Sequence, residues 1–243
     1  MISAESLGYA YQGQPPALRE VSFHLPAGQT LGLVGANGGG KSTLLSILAG
    51  LYTPSEGKLT LAGQASPGGE RGVRAASALV MQEADLQIIG STVEEDLSLG
   101  AEGQGPGLSE AALAAATAFG LEDILSRAVH ELSWGQKKRL CLAAAQLKKP
   151  QVLLLDEPFA GLDYPGILRM RAILAANKKA GLTQVVAAHD LEPLADLADA
   201  WLVLEAGRAV ARGSAREVFP LLKAHQVRPP CSWQAGLGVT VWE

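Results

Sequence analysis

Residues 35–42 combine four glycines with a lysine and a serine in one short stretch, Gly-Ala-Asn-Gly-Gly-Gly-Lys-Ser. The stretch fits the pattern G-x-x-x-x-G-K-[ST] and lies between a predicted strand and a predicted helix. Glycines let backbone N–H groups approach phosphate oxygens because no Cβ stands in the way, and the helix N-terminus adds partial positive charge. Lys41 supplies a mobile cation for the β- and γ-phosphates, and Ser42 offers a hydroxyl to Mg²⁺. The alternative, a glycine-rich turn that precedes Lys-Ser by chance, is disfavoured because both flanking elements are in place.

Two carboxylates follow an apolar strand further along the chain, where residues 152–157 read Val-Leu-Leu-Leu-Asp-Glu. Asp156 is expected at the carboxyl end of a buried strand beside the phosphate loop, where it can hold Mg²⁺ through water. Glu157 reaches further and can polarise an attacking water as general base. Taken alone, the two acids fit a solvated strand end equally well. After a phosphate loop, the pair favours ATP hydrolysis.

The composition limits the classes of protein to which the chain can belong. Its 243 residues, 48% of them hydrophobic, suit one compact domain or one domain with a small lobe. A net charge of −4 and a pI of about 5.6 disfavour a nucleic-acid binder, because such a protein normally shows a basic stripe. The basic run at residues 137–139 is explained equally well by a solvated helix face. The two widely separated cysteines predict reduced thiols.

The sequence shows no secretory signal and no stretch of about 18 apolar residues. We therefore expect that another chain supplies any membrane-spanning part.

Short apolar segments alternate with helical patterns along the chain. The predicted strands are residues 2–9, 21–25, 30–34, 58–61, 78–81, 152–155 and 185–188, with a terminal hairpin at 201–204 and 209–211. Helical patterns follow the glycine loop, run from residue 108 to about 147, and cover 166–180 and 215–224; a flexible glycine-rich break is predicted at 100–107. Apolar strands that alternate with helices predict an α/β fold whose parallel strands are buried on both faces.

A third stretch, residues 132–136, reads Leu-Ser-Trp-Gly-Gln about 20 residues before the acidic pair. The simplest interpretation of Ser133 is a helix N-cap. Serine and glycine at a helix N-terminus also form a second anion-binding surface. The segment resembles the signature sequence of ATP-binding cassette ATPases, usually Leu-Ser-Gly-Gly-Gln, with Trp134 in place of the first glycine. The resemblance implies that two chains face head to tail, so that each nucleotide is clamped between the phosphate loop of one chain and the signature of the other.

The resemblance extends to four further positions. Gln82 is similar to the family's glutamine that senses Mg²⁺ and the γ-phosphate, and Asp163 to the aspartate that links the two sites of the dimer. His189 resembles the switch histidine that contacts the γ-phosphate. Tyr11 matches the aromatic residue that stacks on adenine, with Tyr9 as a competitor for that role.

The cofactors that the resemblance implies are ATP and Mg²⁺. The implied catalytic residues are Glu157, His189 and Lys41, and the implied metal-binding residues are Ser42, Gln82 and Asp156. The implied nucleotide-binding residues are Tyr11, Gly35, Asn37, Gly38, Gly39, Gly40, Lys41, Ser42, Thr43, Gln82, Ser133, Gly135, Gln136 and Asp163.

The implied fold is a P-loop NTPase of the cassette type. It has a mixed-sheet core, an N-terminal antiparallel β-subdomain and a helical subdomain. The domain is expected to span residues 1–224, with the helical lobe at about 92–148, and residues 225–243 form a short tail without a predicted structure.

Two stretches indicate a branch of the family: the polar residues after Gln82, and the continuation of the signature as Gln-Lys-Lys-Arg. Both are most similar to the corresponding stretches in ATPase components of energy-coupling factor transporters, above all the cobalt and nickel type. Ala84 stands where that branch often has proline, and the tail after Arg216 is shorter than usual. The resemblance implies a homodimer, or a heterodimer with a related ATPase, at the cytoplasmic face of the cell membrane. The implied partners are a transmembrane coupling protein and a substrate-binding membrane protein, with no nucleic acid and no contact with the transported substrate. Cobalt, nickel and biotin or another vitamin remain open as that substrate.

The sequence disfavours two rival functions. A soluble cassette ATPase of DNA repair would need a long coiled coil between phosphate loop and signature, yet only 92 positions separate Lys41 from Ser133. Translation types usually carry two cassettes, and one is present here. A nucleotide-binding regulator without turnover is disfavoured because Glu157 and His189 occur together.

Overall fold

The computed structural model describes residues 1–100 and 108–241. The strands are β1 (Ile2–Ala10), β2 (Pro16–Leu25), β3 (Thr30–Val34), β4 (Glu56–Leu61), β5 (Gln64–Ser66), β6 (Ser77–Val80), β7 (Val152–Asp156), β8 (Thr183–Ala187), β9 (Ala200–Glu205) and β10 (Arg208–Gly213). The α-helices are α1 (Lys41–Leu48), α2 (Glu70–Ala76), α3 (Val93–Gly100), α4 (Glu110–Ala118), α5 (Trp134–Leu147), α6 (Tyr164–Lys179), α7 (Ala215–Val218) and α8 (Cys231–Gln234). No helix within the described residues is long and apolar enough to cross a membrane.

A six-stranded sheet with the order β10-β9-β3-β8-β7-β6 forms the centre of the molecule. The five strands from β9 to β6 are parallel, and only β10 runs antiparallel to its neighbour. Strands β3 and β8 are buried at every residue, as expected for parallel strands covered on both faces. The carboxyl ends of β3 and β7 therefore open at the same edge, which brings the phosphate loop and the acidic pair together.

A second sheet, with the order β2-β1-β4-β5, is wholly antiparallel and comes from the N-terminal part of the chain. Its buried side chains share one apolar cluster with α1 and with one face of the central sheet. The predicted α/β fold with an antiparallel β-subdomain is thereby confirmed. The predicted boundaries of the domain and of the helical lobe stay predictions.

The helical pattern predicted from residue 108 to 147 was wrong in its middle. Helix α4 ends at Ala118, two 3-10 turns follow at Glu122–Ile124 and Val129–Glu131, and α5 begins only after Ser133. The break has a local cause, because Gly120 adopts a left-handed φ of 60° and Ser133 caps a new helix. The glycine-rich break predicted at 100–107 lies, apart from Gly100 itself, outside the described residues.

The C-terminal segment packs against the core. The helix predicted at 215–224 divides into α7 and a 3-10 helix, Phe219–His225, because Pro220 has no backbone N–H to donate. Val227 is buried, and the ring of Trp233 meets that of Phe219 edge-on at 5.4 Å. Because Phe219 also contacts Trp201 of β9, the tail packs against the apolar cluster beside the central sheet.

Candidate functional site

The phosphate loop joins the end of β3 to the start of α1, and neighbouring backbone leaves no room for larger side chains there. A Cβ on Gly35 would lie 2.0 Å from the carbonyl oxygen of Leu204, and one on Gly40 would lie 2.8 Å from that of Ala17. Gly40 also has a φ of 103°, which strains any other residue. Glycine is therefore required at both positions, and the loop's amide groups are left free of side-chain cover.

Lys41 is buried, and its ammonium group lies over this loop. It donates to the carbonyl oxygens of Gly35 at 2.8 Å and of Ala36 at 3.3 Å. The ammonium is thus held within the curve of the loop, where it can exchange a carbonyl partner for a phosphate oxygen.

Asp156 stands at the carboxyl end of β7 and lines the same cavity as Ser42. Burial raises the pKa of Asp156 above its ordinary value of 3.8, against the opposing effects of the Ser42 hydroxyl and of Lys41. Gln82 lines the same cavity of about 420 Å³. A carboxylate, a hydroxyl and an amide oxygen are hard ligands that suit Mg²⁺.

Glu157 is almost fully buried and has a left-handed φ of 50°. Its Oε2 accepts from the backbone N–H of His189 at 3.2 Å and lies 2.7 Å from Nδ1 of the same residue. The two predicted catalytic side chains are therefore in direct contact at the ends of β7 and β8. His189 is 63% exposed and faces a second cavity of about 470 Å³ beside the phosphate loop.

An aromatic cluster flanks the loop on its other side. The hydroxyl of Tyr11 lies 3.0 Å from Oγ1 of Thr43, and Tyr11 lines the phosphate-loop cavity. Tyr9 instead stacks on Tyr52 at 5.1 Å and packs against the core. The geometry favours Tyr11 over Tyr9 for the adenine, and the assignment stays a prediction.

The signature residues lie elsewhere in the chain. Ser133 caps α5 in a reciprocal capping box with Gln136, and Asp163 caps α6 by accepting from Gly166 at 2.9 Å. Neither these residues nor Gly135 line the phosphate-loop cavity. One chain thus does not bring its own signature to its own loop.

Two parts of the site escaped the sequence analysis. Lys138 was interpreted as part of a solvated face, but it is 2% exposed and donates to the carbonyl oxygen of Glu157 at 2.6 Å. Its helical spacing to the buried Cys141, Leu142 and Ala145 was the available signal. The tail residues 226–228 also line the cavity beside His189, and no sequence pattern pointed there.

Comparison with known proteins agrees with this geometry. The family model described as "ABC transporter" matches residues 18–160. The cobalt import ATP-binding protein CbiO of Rhodobacter capsulatus is 38% identical over 239 residues, which cover 95% of this chain and 85% of that protein. The energy-coupling factor transporter ATP-binding protein EcfA1 of Methanospirillum hungatei is 35% identical, over 90% of this chain and 81% of that protein.

Comparison with solved structures indicates the same family. The chain aligns with cbiO1 of Clostridium perfringens, described as part of the ABC transporter complex cbiONQ, with a TM-score of 0.80 and 31% identity over 90% of both chains. The chain therefore belongs to the ABC transporter family and is one of its ATPases, in which ATP hydrolysis powers transport.

Proposed function

We propose that the chain binds ATP with Mg²⁺ between the phosphate loop and Tyr11. The phosphates are bound by the Lys41 ammonium and by the backbone amides of the loop glycines, which are Gly35, Gly38, Gly39 and Gly40. Asn37 and Thr43 lie beside them. Support comes from the glycine-lined loop, from the buried lysine and from the cavity that they share with the acidic pair. Ser42, Asp156 and Gln82 would hold the metal, which supplies neutralisation of phosphate charge when bound.

Hydrolysis is assigned to the pair formed by Glu157 and His189. The Glu157 carboxylate polarises the attacking water as general base, and the imidazole of His189 stabilises charge on the γ-phosphate. The 2.7 Å contact between the two side chains supports this division of roles. It means that the carboxylate that accepts a proton from water and the imidazole ring that hydrogen-bonds to phosphate are neighbours.

A second copy of the chain, or a related ATPase, completes the site. At the start of α5, Ser133 is exposed and Gly135 and Gln136 are half-buried, and the phosphate-loop cavity of their own chain is lined by none of the three. In a head-to-tail pair, they would meet the γ-phosphate held by the partner's loop, and Asp163 would link the two sites.

We further propose that the transported substrate is cobalt. The observation that carries this proposal is the 38% identity, over 95% of the chain, to a cobalt import ATP-binding protein. Nickel, or biotin or another vitamin, is the alternative, because relatives described only as energy-coupling factor ATPases follow at 35%. The chain would then act at the cytoplasmic face of the membrane, on a transmembrane coupling protein and a substrate-binding membrane protein.

A groove of about 330 Å³ between the lobes fits a helix of the coupling protein. Its rim carries the exposed apolar side chains of Leu51, Met81, Ile89 and Leu99. The loop that forms one wall is held in place by Asp96, which accepts from the backbone N–H groups of residues 89 and 90 at 2.8 and 3.1 Å. A hydrophobic groove with a fixed wall is a common binding site for the apolar face of an amphipathic helix.

The substrate is tested by ion uptake. The chain would be expressed with membrane proteins encoded beside its gene, in cells whose own cobalt and nickel importers are deleted. Energy-dependent uptake of radioactive cobalt, absent with the Glu157→Gln variant, is expected. Uptake of nickel or biotin instead would identify that ion or vitamin as the substrate. Absence of uptake of all three, with ATPase activity intact, would exclude cobalt, nickel and biotin and leave another vitamin as the substrate.

A further inference from the structure

A single buried lysine connects the signature helix to the backbone of the catalytic glutamate. Lys138 lies on α5, one turn after the start of that helix, and its Nζ donates to the carbonyl oxygen of Glu157 at 2.6 Å. The Glu157 N–H donates to the carbonyl oxygen of Ala187 at 2.9 Å. Both backbone polar groups of Glu157 are thereby fixed. The N–H is held by the neighbouring strand, and the carbonyl oxygen is held by Lys138 together with the Ala160 N–H, which donates to it at 3.2 Å.

The backbone of Glu157 needs such support. A non-glycine residue at φ 50° is in a conformation that costs about 1 kcal/mol or more, and it persists only where the surroundings hold it. The conformation turns the chain sharply after β7 and directs the carboxylate towards His189. A change in this turn would therefore move the carboxylate.

Trp134 makes a second contact between the same two segments. Its indole N–H donates to the carbonyl oxygen of Ala160 at 3.1 Å, and its ring lies so close to Gly161 that a Cβ there would be 3.0 Å away. The Lys138 ammonium lies 5.8 Å from the centre of the indole ring, within cation–π range. The tryptophan that departs from the family's usual signature thus packs over the loop that follows Glu157.

The ammonium group of Lys138 is costly to bury. Burial lowers the pKa of Lys138 to about 8, although the nearby charges of Glu157 and Asp156 act in the opposite direction. A methionine of similar length would fill the space without that cost. The charge is therefore explained by the carbonyl oxygen that it binds and not by packing.

We propose that Lys138 and Trp134 are positioning residues for Glu157, which fasten the turn at residues 157–161 to the signature helix. Because the same helix begins at Ser133, the general base of one nucleotide site and the phosphate-binding surface offered to the other site move as one unit. This inference rests on the proposed role of Glu157 as general base.

The test compares Lys138→Met, Lys138→Gln, Lys138→Arg and Trp134→Phe with the control Lys179→Met, which changes an exposed lysine on α6. The affinity of each variant for ATP and the steady-state kcat and KM for hydrolysis would be measured below its unfolding temperature. Displacing a catalytic group by about 1 Å costs up to about a hundredfold in rate. We expect kcat to fall by about tenfold or more in Lys138→Met, with an affinity for ATP within about twofold of the control. We expect Lys138→Arg and Lys138→Gln, which keep an N–H donor, to recover part of kcat.

Two outcomes would overturn the inference: a kcat equal to that of the control in Lys138→Met, or losses of ATP affinity that account for the whole effect. If Lys138→Met does not fold, Trp134→Phe decides by the same criteria, because it removes the indole N–H that donates to Ala160 and keeps an aromatic ring. Glu157→Gln separates this failure from failure of the proposed function. A normal rate in Glu157→Gln would remove the general base itself, whereas a slow Glu157→Gln beside a normal Lys138→Met would remove only the positioning role.

Discussion

Oε2 of Glu157 lies 2.7 Å from Nδ1 of His189, and the same oxygen also accepts from the His189 backbone N–H. The two side chains come from the ends of adjacent parallel strands, so the sheet itself sets their separation. This contact gives the carboxylate a fixed direction before any partner chain arrives.

The first prediction concerns the general base. Glu157→Gln keeps an oxygen that can accept from the His189 N–H, so the fold and ATP binding should be retained. Without a proton acceptor, hydrolysis should be at least about a hundredfold slower. A steady-state ATPase assay beside a nucleotide-affinity measurement checks this, with Glu110→Gln on exposed α4 as control. Near-normal turnover would exclude Glu157 as the base.

The second prediction concerns the metal ligand Asp156. Burial raises the pKa of Asp156, so the folded state binds the proton of this carboxyl group more tightly than the unfolded state does. At pH values above that pKa the carboxylate is ionised, and its burial then lowers the free energy of unfolding. Asp156→Asn should therefore raise the unfolding temperature of the nucleotide-free protein at pH 7. A gain of about 1 kcal/mol corresponds to about 2–4 °C in a chain of this size. The same variant should lose the dependence of ATP binding on Mg²⁺.

The pH dependence of that effect has a definite sign. The difference in unfolding temperature between Asp156→Asn and the parent should be present above the raised pKa of Asp156. It should shrink as the pH falls through that pKa towards 3.8, because both states of the parent then carry the proton. Thermal unfolding from pH 7 to pH 4 measures it, and a difference that grows towards acid pH would contradict the assignment.

The third prediction separates the two candidate tyrosines. Tyr11→Ala should weaken ATP binding by about two- to tenfold, the value of one aromatic stacking contact, without lowering the unfolding temperature much. Tyr9→Ala should mainly lower the unfolding temperature, because Tyr9 stacks on Tyr52 and packs against the core. The reverse pattern would assign the adenine to Tyr9.

The fourth prediction concerns the membrane partner. Ile89 lines the groove and is 81% exposed, and Leu86, three residues earlier in the chain, is 69% exposed. Replacing both by Asp would place charge on an apolar contact surface. The double variant should leave the membrane fraction of cells that also express the membrane proteins, with unchanged affinity for ATP. Leu113→Asp, on the exposed face of α4, is the matched control. Recovery of the double variant with membranes at the level of the control would count against the groove.

The sequence was sufficient to predict those parts of the structure that depend on local chemistry. The phosphate loop, the acidic end of β7 and the cap at Ser133 each depend on residues within one short segment, and each lies where it was expected. The end of α4 and the 3-10 turns before Ser133 were missed, because the left-handed turn at Gly120 outweighs the helical propensity of the alanine-rich segment before it.

Long-range packing could not be predicted in the same way. Lys138 belongs to a basic run that suggests solvent, yet the Glu157 carbonyl that it binds is 19 positions away. The position of the tail depends on contacts of Trp233 and Val227 with elements formed earlier in the chain. The helical spacing of Lys138 signals its burial, but the partners of these side chains follow only from the assembled fold.

The central claim is that Ser133 acts on the nucleotide held by Lys41 of the other subunit. Ser133 lies exposed at the start of α5, and it does not line the cavity that Lys41 shares with Asp156. An arginine at residue 133 would remove the hydroxyl and obstruct the surface, while the loop of its own chain would stay intact. Thr117→Arg, an exposed position on α4, adds the same side chain to the same lobe and serves as control.

The decisive measurement is the mass in solution, with and without ATP, of the Ser133→Arg variant in a Glu157→Gln background, together with its affinity for ATP. We predict an unchanged affinity for ATP as a monomer and no ATP-induced dimer, whereas the control dimerises like its parent. A Ser133→Arg protein that still dimerises with ATP as its parent does, or that loses ATP affinity as a monomer, would contradict the shared site.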